Sequence, residues 1–67
     1  MKTELIKIKC KEIFDGVITG NMVSSIEEMF NEFMKDKSWE SKGLEMDLDR
    51  FFDEMSLDIE CELESWD

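Results

Sequence analysis

The sequence predicts an α+β domain: a small three-stranded sheet, β-β-α-α-β in chain order and 2-1-3 across the sheet, with two helices packed on one face. Three observations carry that expectation. Within residues 5–14, Ile6 to Lys11 alternate apolar and charged side chains with a period of two, and within residues 57–66 Leu57 to Glu64 do the same, the pattern of a half-buried strand. Asp15-Gly16 follows the first of these runs, a two-residue hairpin signal because both positions tolerate positive φ. Between them, Ser24 to Lys37 places Ile26, Met29, Phe30, Phe33 and Met34 at i, i+3, i+4, i+7 and i+8, an apolar stripe on a helix.

Taken in order, the first strand sets Ile6, Ile8 and Cys10 against Lys7, Lys9 and Lys11. After the Asp15-Gly16 turn, Val17-Ile18-Thr19 is the expected return strand, and Gly20-Asn21 breaks it. The first helix runs from Ser24 to Lys37. Ser24 and Ser25 each precede a glutamate by three residues, so either can open a capping box. Ser38 to Gly43 is turn-like, with Trp39 expected as a lid on the core edge. A second helix is expected near Glu45–Met55, because Leu44, Leu48, Phe51, Phe52 and Met55 share one face. Asp47 could cap it, or Ser41 a longer one. The last strand sets Leu57, Ile59, Cys61 and Leu63 against Asp58, Glu60, Glu62 and Glu64. A lysine row beside a glutamate row would favour pairing of the first and last strands and fix their register. A central first strand flanked by a hairpin and a C-terminal strand resembles the β-grasp arrangement, in topology alone.

The expected core gathers Ile6, Ile8, Phe14, Ile26, Phe30, Phe33, Leu48, Phe52, Ile59 and Leu63. Cys10 and Cys61, expected on adjacent strands, should both be buried and reduced. The 67 residues allow one domain, spanning 1–67. No apolar run approaches the ~20 residues of a membrane span, and Met1-Lys2-Thr3-Glu4 does not open as a signal peptide. The expectation is a soluble cytoplasmic protein, in the host cytoplasm if phage-encoded.

Charge is the dominant global feature: 18 acidic residues against 8 basic, a formal net of -10. Residues 1–21 carry four Lys and three acids, net +1; residues 22–43 three Lys and five acids, net -2. Residues 44–67 carry Arg50 against ten acids, net -9. Direct contact with nucleic acid or an anionic membrane is disfavoured, since phosphate contacts need clustered cations. Attraction to a basic protein surface is favoured by the same field. The bland alternative is that acidity maintains solubility.

Chemistry-bearing constellations are few. Asp47-Leu48-Asp49 with Asp53 and Glu54 departs from a calcium loop, which needs a glycine where Phe52 stands and an oxygen ligand where Phe51 stands. The chain has no histidine, so neither cysteine has an imidazole to activate it. The glycines are isolated and form no phosphate loop. A non-enzyme without cofactor or metal is therefore expected.

What remains is a surface. Glu45, Asp49 and Asp53 rise along the second helix at ~6 Å per step, with Glu54 beside them. Glu60, Glu62 and Glu64 on a strand would lie ~6.8 Å apart, close to two nucleotide steps of duplex DNA, ~6.8 Å. These carboxylates, with Trp39 and Trp66, are the expected partner-binding residues. The expected function is a small acidic protein that regulates or inhibits a larger partner with a basic, nucleic-acid-binding kind of surface, in its sharpest form as a nucleic-acid mimic of the phage or mobile-element type. The alternative is a structural or adaptor domain with an apolar interface, forming a homodimer or a hetero-oligomer.

Overall fold

The structure, a computed structural model, describes residues 2–35 and 40–66. It is built from helices: α1 (Lys2–Ile13), α2 (Gly20–Lys35), α3 (Leu44–Glu54) and α4 (Ser56–Ser65), with no strand among the described residues. The three-stranded sheet, its 2-1-3 order and the β-grasp layout are thereby overturned. α1 and α4 each pack on both α2 and α3, and α2 also touches α3. That arrangement places α1 and α4 at opposite corners of a four-helix cluster.

The two predicted strands are helices because period-two alternation contains every fourth residue, and every fourth residue also shares a helix face. In α1 the alternating set splits accordingly. Ile6 and Cys10, four apart, are fully buried, whereas Ile8 between them is 54% exposed. The inward face is completed by Leu5, partly buried against the core, and by Lys2 and Lys9, which share the same side. Their aliphatic stems line the face while the ammonium groups reach carboxylates at its edge. Two lysines on the inward face made its apolar stripe unreadable. α4 splits in the same way: Ile59 and Leu63 are fully buried, and Leu57 is 76% exposed. The lysines and glutamates of α1 and the glutamates of α4 are good helix formers and weaker strand formers.

The segment between α1 and α2 is not a hairpin. Gly43 is the one residue of positive φ among the described residues, whereas a two-residue hairpin of the Asp-Gly type needs positive φ at both central positions. Gly16 instead accommodates the Phe14 ring, since a Cβ there would lie 2.8 Å from Phe14 Cε2. Val17 is 81% exposed and Ile18 is buried. Ile18 precedes the cap of α2, and Val23 sits four residues into that helix. Both belong to the same buried cluster, the positions of a hydrophobic staple.

α2 opens at Gly20, four residues earlier than predicted, and its cap is Thr19 rather than Ser24 or Ser25. The Met22 N–H donates to Thr19 Oγ1 at 3.3 Å, and the Thr19 N–H approaches Met22 Sδ at 3.3 Å. The pair is a reciprocal capping arrangement with a thioether in place of the usual carboxylate. Asp36 and Lys37, expected at its far end, lie outside the described residues.

α3 matches its predicted stripe, with Leu48, Phe51 and Phe52 buried and Leu44 and Met55 partly so. Its entry depends on Gly43, whose φ of 107° is open to glycine at little cost. Asp47, in the first turn, is buried. Its carboxylate accepts from Ser41 Oγ at 2.6 Å and from the Lys42 N–H at 3.1 Å. The carboxylate therefore folds the incoming loop onto the helix start, where negative charge is also favoured by the helix dipole.

The core differs from the expected one at particular places. Phe51 is fully buried and holds three aromatic neighbours, with Phe30, Phe33 and Phe52 each at 5.4 Å between centroids. Ile8 is outside it, and Phe14 and Phe33 are peripheral. Cys10 is buried but Cys61 is exposed, so the two thiols are not neighbours on one inner face. Burial pushes the Cys10 thiol up to about 11 from an ordinary 9.0. The folded chain then keeps a proton that the unfolded chain releases, so stability falls as pH rises from about 9 to about 11. Cys10→Ala should flatten this alkaline loss relative to the parent in melting curves over that range. An unchanged slope would place the thiol in contact with water.

Candidate partner-binding surface

The predicted site residues lie on α3 and α4, and the helical fold sorts them differently from the sequence reading. On α3, Glu45, Asp49 and Asp53 do follow one stripe at intervals of a helical turn, and all three are exposed. Asp49 is not free, because Lys9 of α1 pairs with it. Glu54 pairs with Arg50 at 2.7 Å. Glu45 and Asp53 are therefore the open charges of this helix. Met46 stands among them, 58% exposed, and a shallow groove of about 640 Å³ passes over it between Glu40, Lys42, Arg50 and Asp53.

On α4 the expected row of Glu60, Glu62 and Glu64 is divided. Glu60 and Glu64 remain one turn apart on one side, while Glu62 turns toward α2. Its Oε2 accepts from Ser25 Oγ of α2 and from the Trp66 indole Nε1 at 3.1 Å. The Ser25 hydroxyl first, and then the Trp66 indole, hold the Glu62 carboxyl below its ordinary value. That contribution to stability is present above the ordinary glutamate range and is lost as pH falls through the lowered value. Glu62 and Trp66 are thus fasteners of the α4 end. Trp66 keeps about half its surface open, at 49%. Trp39 lies outside the described residues.

The expected neutralisation of the α4 glutamates by a lysine row does not occur. Lys9 meets Asp49 of α3, and Lys2 meets Glu27 of α2 at 3.6 Å. Lys2 also donates to Asn31 Oδ1, and Thr3 Oγ1 to Glu27 Oε1, each at 3.3 Å. α1 is therefore laced along α2 and α3, and its lysines leave the carboxylates of α4 unpaired, with Asp58 and Glu64 exposed and Glu60 half-buried. The ~6.8 Å strand spacing that would match a nucleotide step is absent from residues 57–65.

The Lys9–Asp49 and Ser25–Glu62 links join residues distant in the chain and left no signal in the sequence, and the Glu62–Trp66 contact, four residues apart, was hidden by the strand reading. The apolar face of α4 that points away from the core was also missed, because Leu57 and Cys61 were assigned inward. Among the described residues no three Cys, Asp or Glu side chains converge as metal ligands, and no helix is long and apolar enough to cross a membrane. No protein-family model, curated protein or solved structure matches the chain.

Proposed function

We propose that this is a small acidic cytoplasmic binding protein, without catalytic activity, that regulates a larger partner by occupying a basic surface on it. The observation that supports the reading is the exposure of Glu45 and Asp53 on α3 and of Glu64 on α4, in a region of net charge -9 across residues 44–67 with Arg50 as its single cation. Such a field draws a cationic surface into encounter and aligns it before close contact. Because the strand-spaced carboxylate row is gone, the reading is kept to a protein partner and does not extend to mimicry of a duplex.

The test is affinity capture from a native lysate at low and high salt, with the parent and with a variant carrying Glu45→Gln, Asp53→Asn, Glu60→Gln and Glu64→Gln. Glu45, Asp53 and Glu64 are exposed, Glu60 is half-buried, and none of the four is in an ion pair among the described residues, so the variant should melt near the parent. Captured proteins should carry basic surfaces, leave the parent as salt rises and fail to bind the variant. A partner retained equally by parent and variant at high salt would contradict the reading.

A further inference from the structure

Resting on that reading, we infer that the outward face of α4 is the strip on which the partner lies, and that the docking element is a helix with apolar residues flanked by Lys or Arg. Leu57 is 76% exposed, and Cys61, one turn further along, is exposed as well. Their separation of four residues, ~6 Å along the axis, makes a short apolar seam on the side of α4 opposite Ile59 and Leu63. Glu60 and Glu64, each three residues beyond a member of the seam, border one side, and Asp58 borders the other. α4 has no basic residue in its last turn and receives none from α1. A docking helix laid along this face would therefore meet apolar contact at its centre and negative charge on both margins, the complement of an amphipathic cationic helix.

The scaffold already receives one helix of that chemistry from its own chain. α1 buries Ile6 and Cys10 and sets Lys2 and Lys9 against Glu27 and Asp49. The outer face of α4 offers carboxylates and a short apolar seam of its own, and no helix packs on it among the described residues. Specificity would come from the margins and the seam together, since a scattered cationic chain matches the charges but not the apolar line.

The probe is a synthetic helical peptide of leucine and lysine with its leucines on one face, compared with a scrambled peptide of equal composition. Titration into the 15N-labelled full chain should shift the amides of residues 56–65, with the scrambled peptide at least fivefold weaker. Leu57→Ser with Cys61→Ser should weaken binding at least fivefold at an unchanged melting temperature. Glu60→Gln with Glu64→Gln should weaken it and flatten its salt dependence. The proposal is overturned if the parent does not bind, if the scrambled peptide binds equally, or if shifts gather on α3 while the α4 variants bind like the parent. That last result would leave the acidic-surface reading standing, whereas binding indifferent to salt in every variant would remove the reading itself. A parent that is already a dimer, and that Leu57→Ser with Cys61→Ser makes monomeric, would overturn the proposal in favour of a second copy on the seam.

Discussion

Phe51→Ala should unfold the protein or bring it close to unfolding. The ring is fully buried, and its removal opens a cavity among Phe30, Phe33 and Phe52, each 5.4 Å away between centroids. Phe→Ala in a packed core costs about 3–5 kcal/mol. At roughly 0.05–0.15 kcal/mol per residue, a chain of this length has a total stability of the same order. Urea unfolding followed by far-UV circular dichroism should therefore show a midpoint near zero denaturant. Phe51→Leu keeps apolar contact and much of the volume, so it should retain a cooperative transition. If Phe51→Ala keeps the parent's midpoint, the contact between α2 and α3 is not centred on this ring.

Asp47→Ala should have the second largest effect. The carboxylate is buried, and its hydrogen bonds to Ser41 and to the Lys42 amide fix the loop that enters α3. Hydrogen bonds to a charged group contribute about 1.5–3 kcal/mol. In a domain of this size each kcal/mol moves the melting temperature by roughly 4–8 °C. A fall of about 10–20 °C is expected, from the same conversion. Ser41→Ala, which removes one donor at an exposed residue, should fall much less. Equal losses in the two variants would show that the hydroxyl contact alone holds the loop.

The parts of the fold legible in the sequence were those with an unmixed period. The stripes of Ile26, Phe30 and Phe33 and of Leu48, Phe51 and Phe52 fit no strand, and both helices are present. The two misread segments share a physical cause. Ile6 with Cys10, and Ile59 with Leu63, satisfy strand and helix periods together. The arbiters were Ile8, Leu57 and Cys61, whose exposure depends on the tertiary neighbours. Lys2 and Lys9 on the inward face of α1 disguised its helical stripe further, since a lysine reads as outward unless its stem is buried.

The candidate surface was legible as charge and not as geometry. Charge follows from composition, so the acidity of residues 44–67 needed no fold. Which carboxylates stay open depends on pairing across helices. Asp49 is taken by Lys9 and Glu62 by Ser25 and Trp66. Glu45, Asp53 and Glu64 are left exposed. A helical residue 57–65 also turns Leu57 and Cys61 outward, where a strand would have hidden them.

The open surface of α4 exists only if residues 56–65 are helical, and proton–proton contacts along them test this directly. A helical α4 predicts Hα-to-amide contacts between residues three apart from Ser56 to Ser65, with the Trp66 indole proton close to Glu62 and Ser25. Strong sequential Hα-to-amide contacts, joined by cross-strand backbone proton contacts between residues 5–11 and 57–63, would contradict it and restore the sheet.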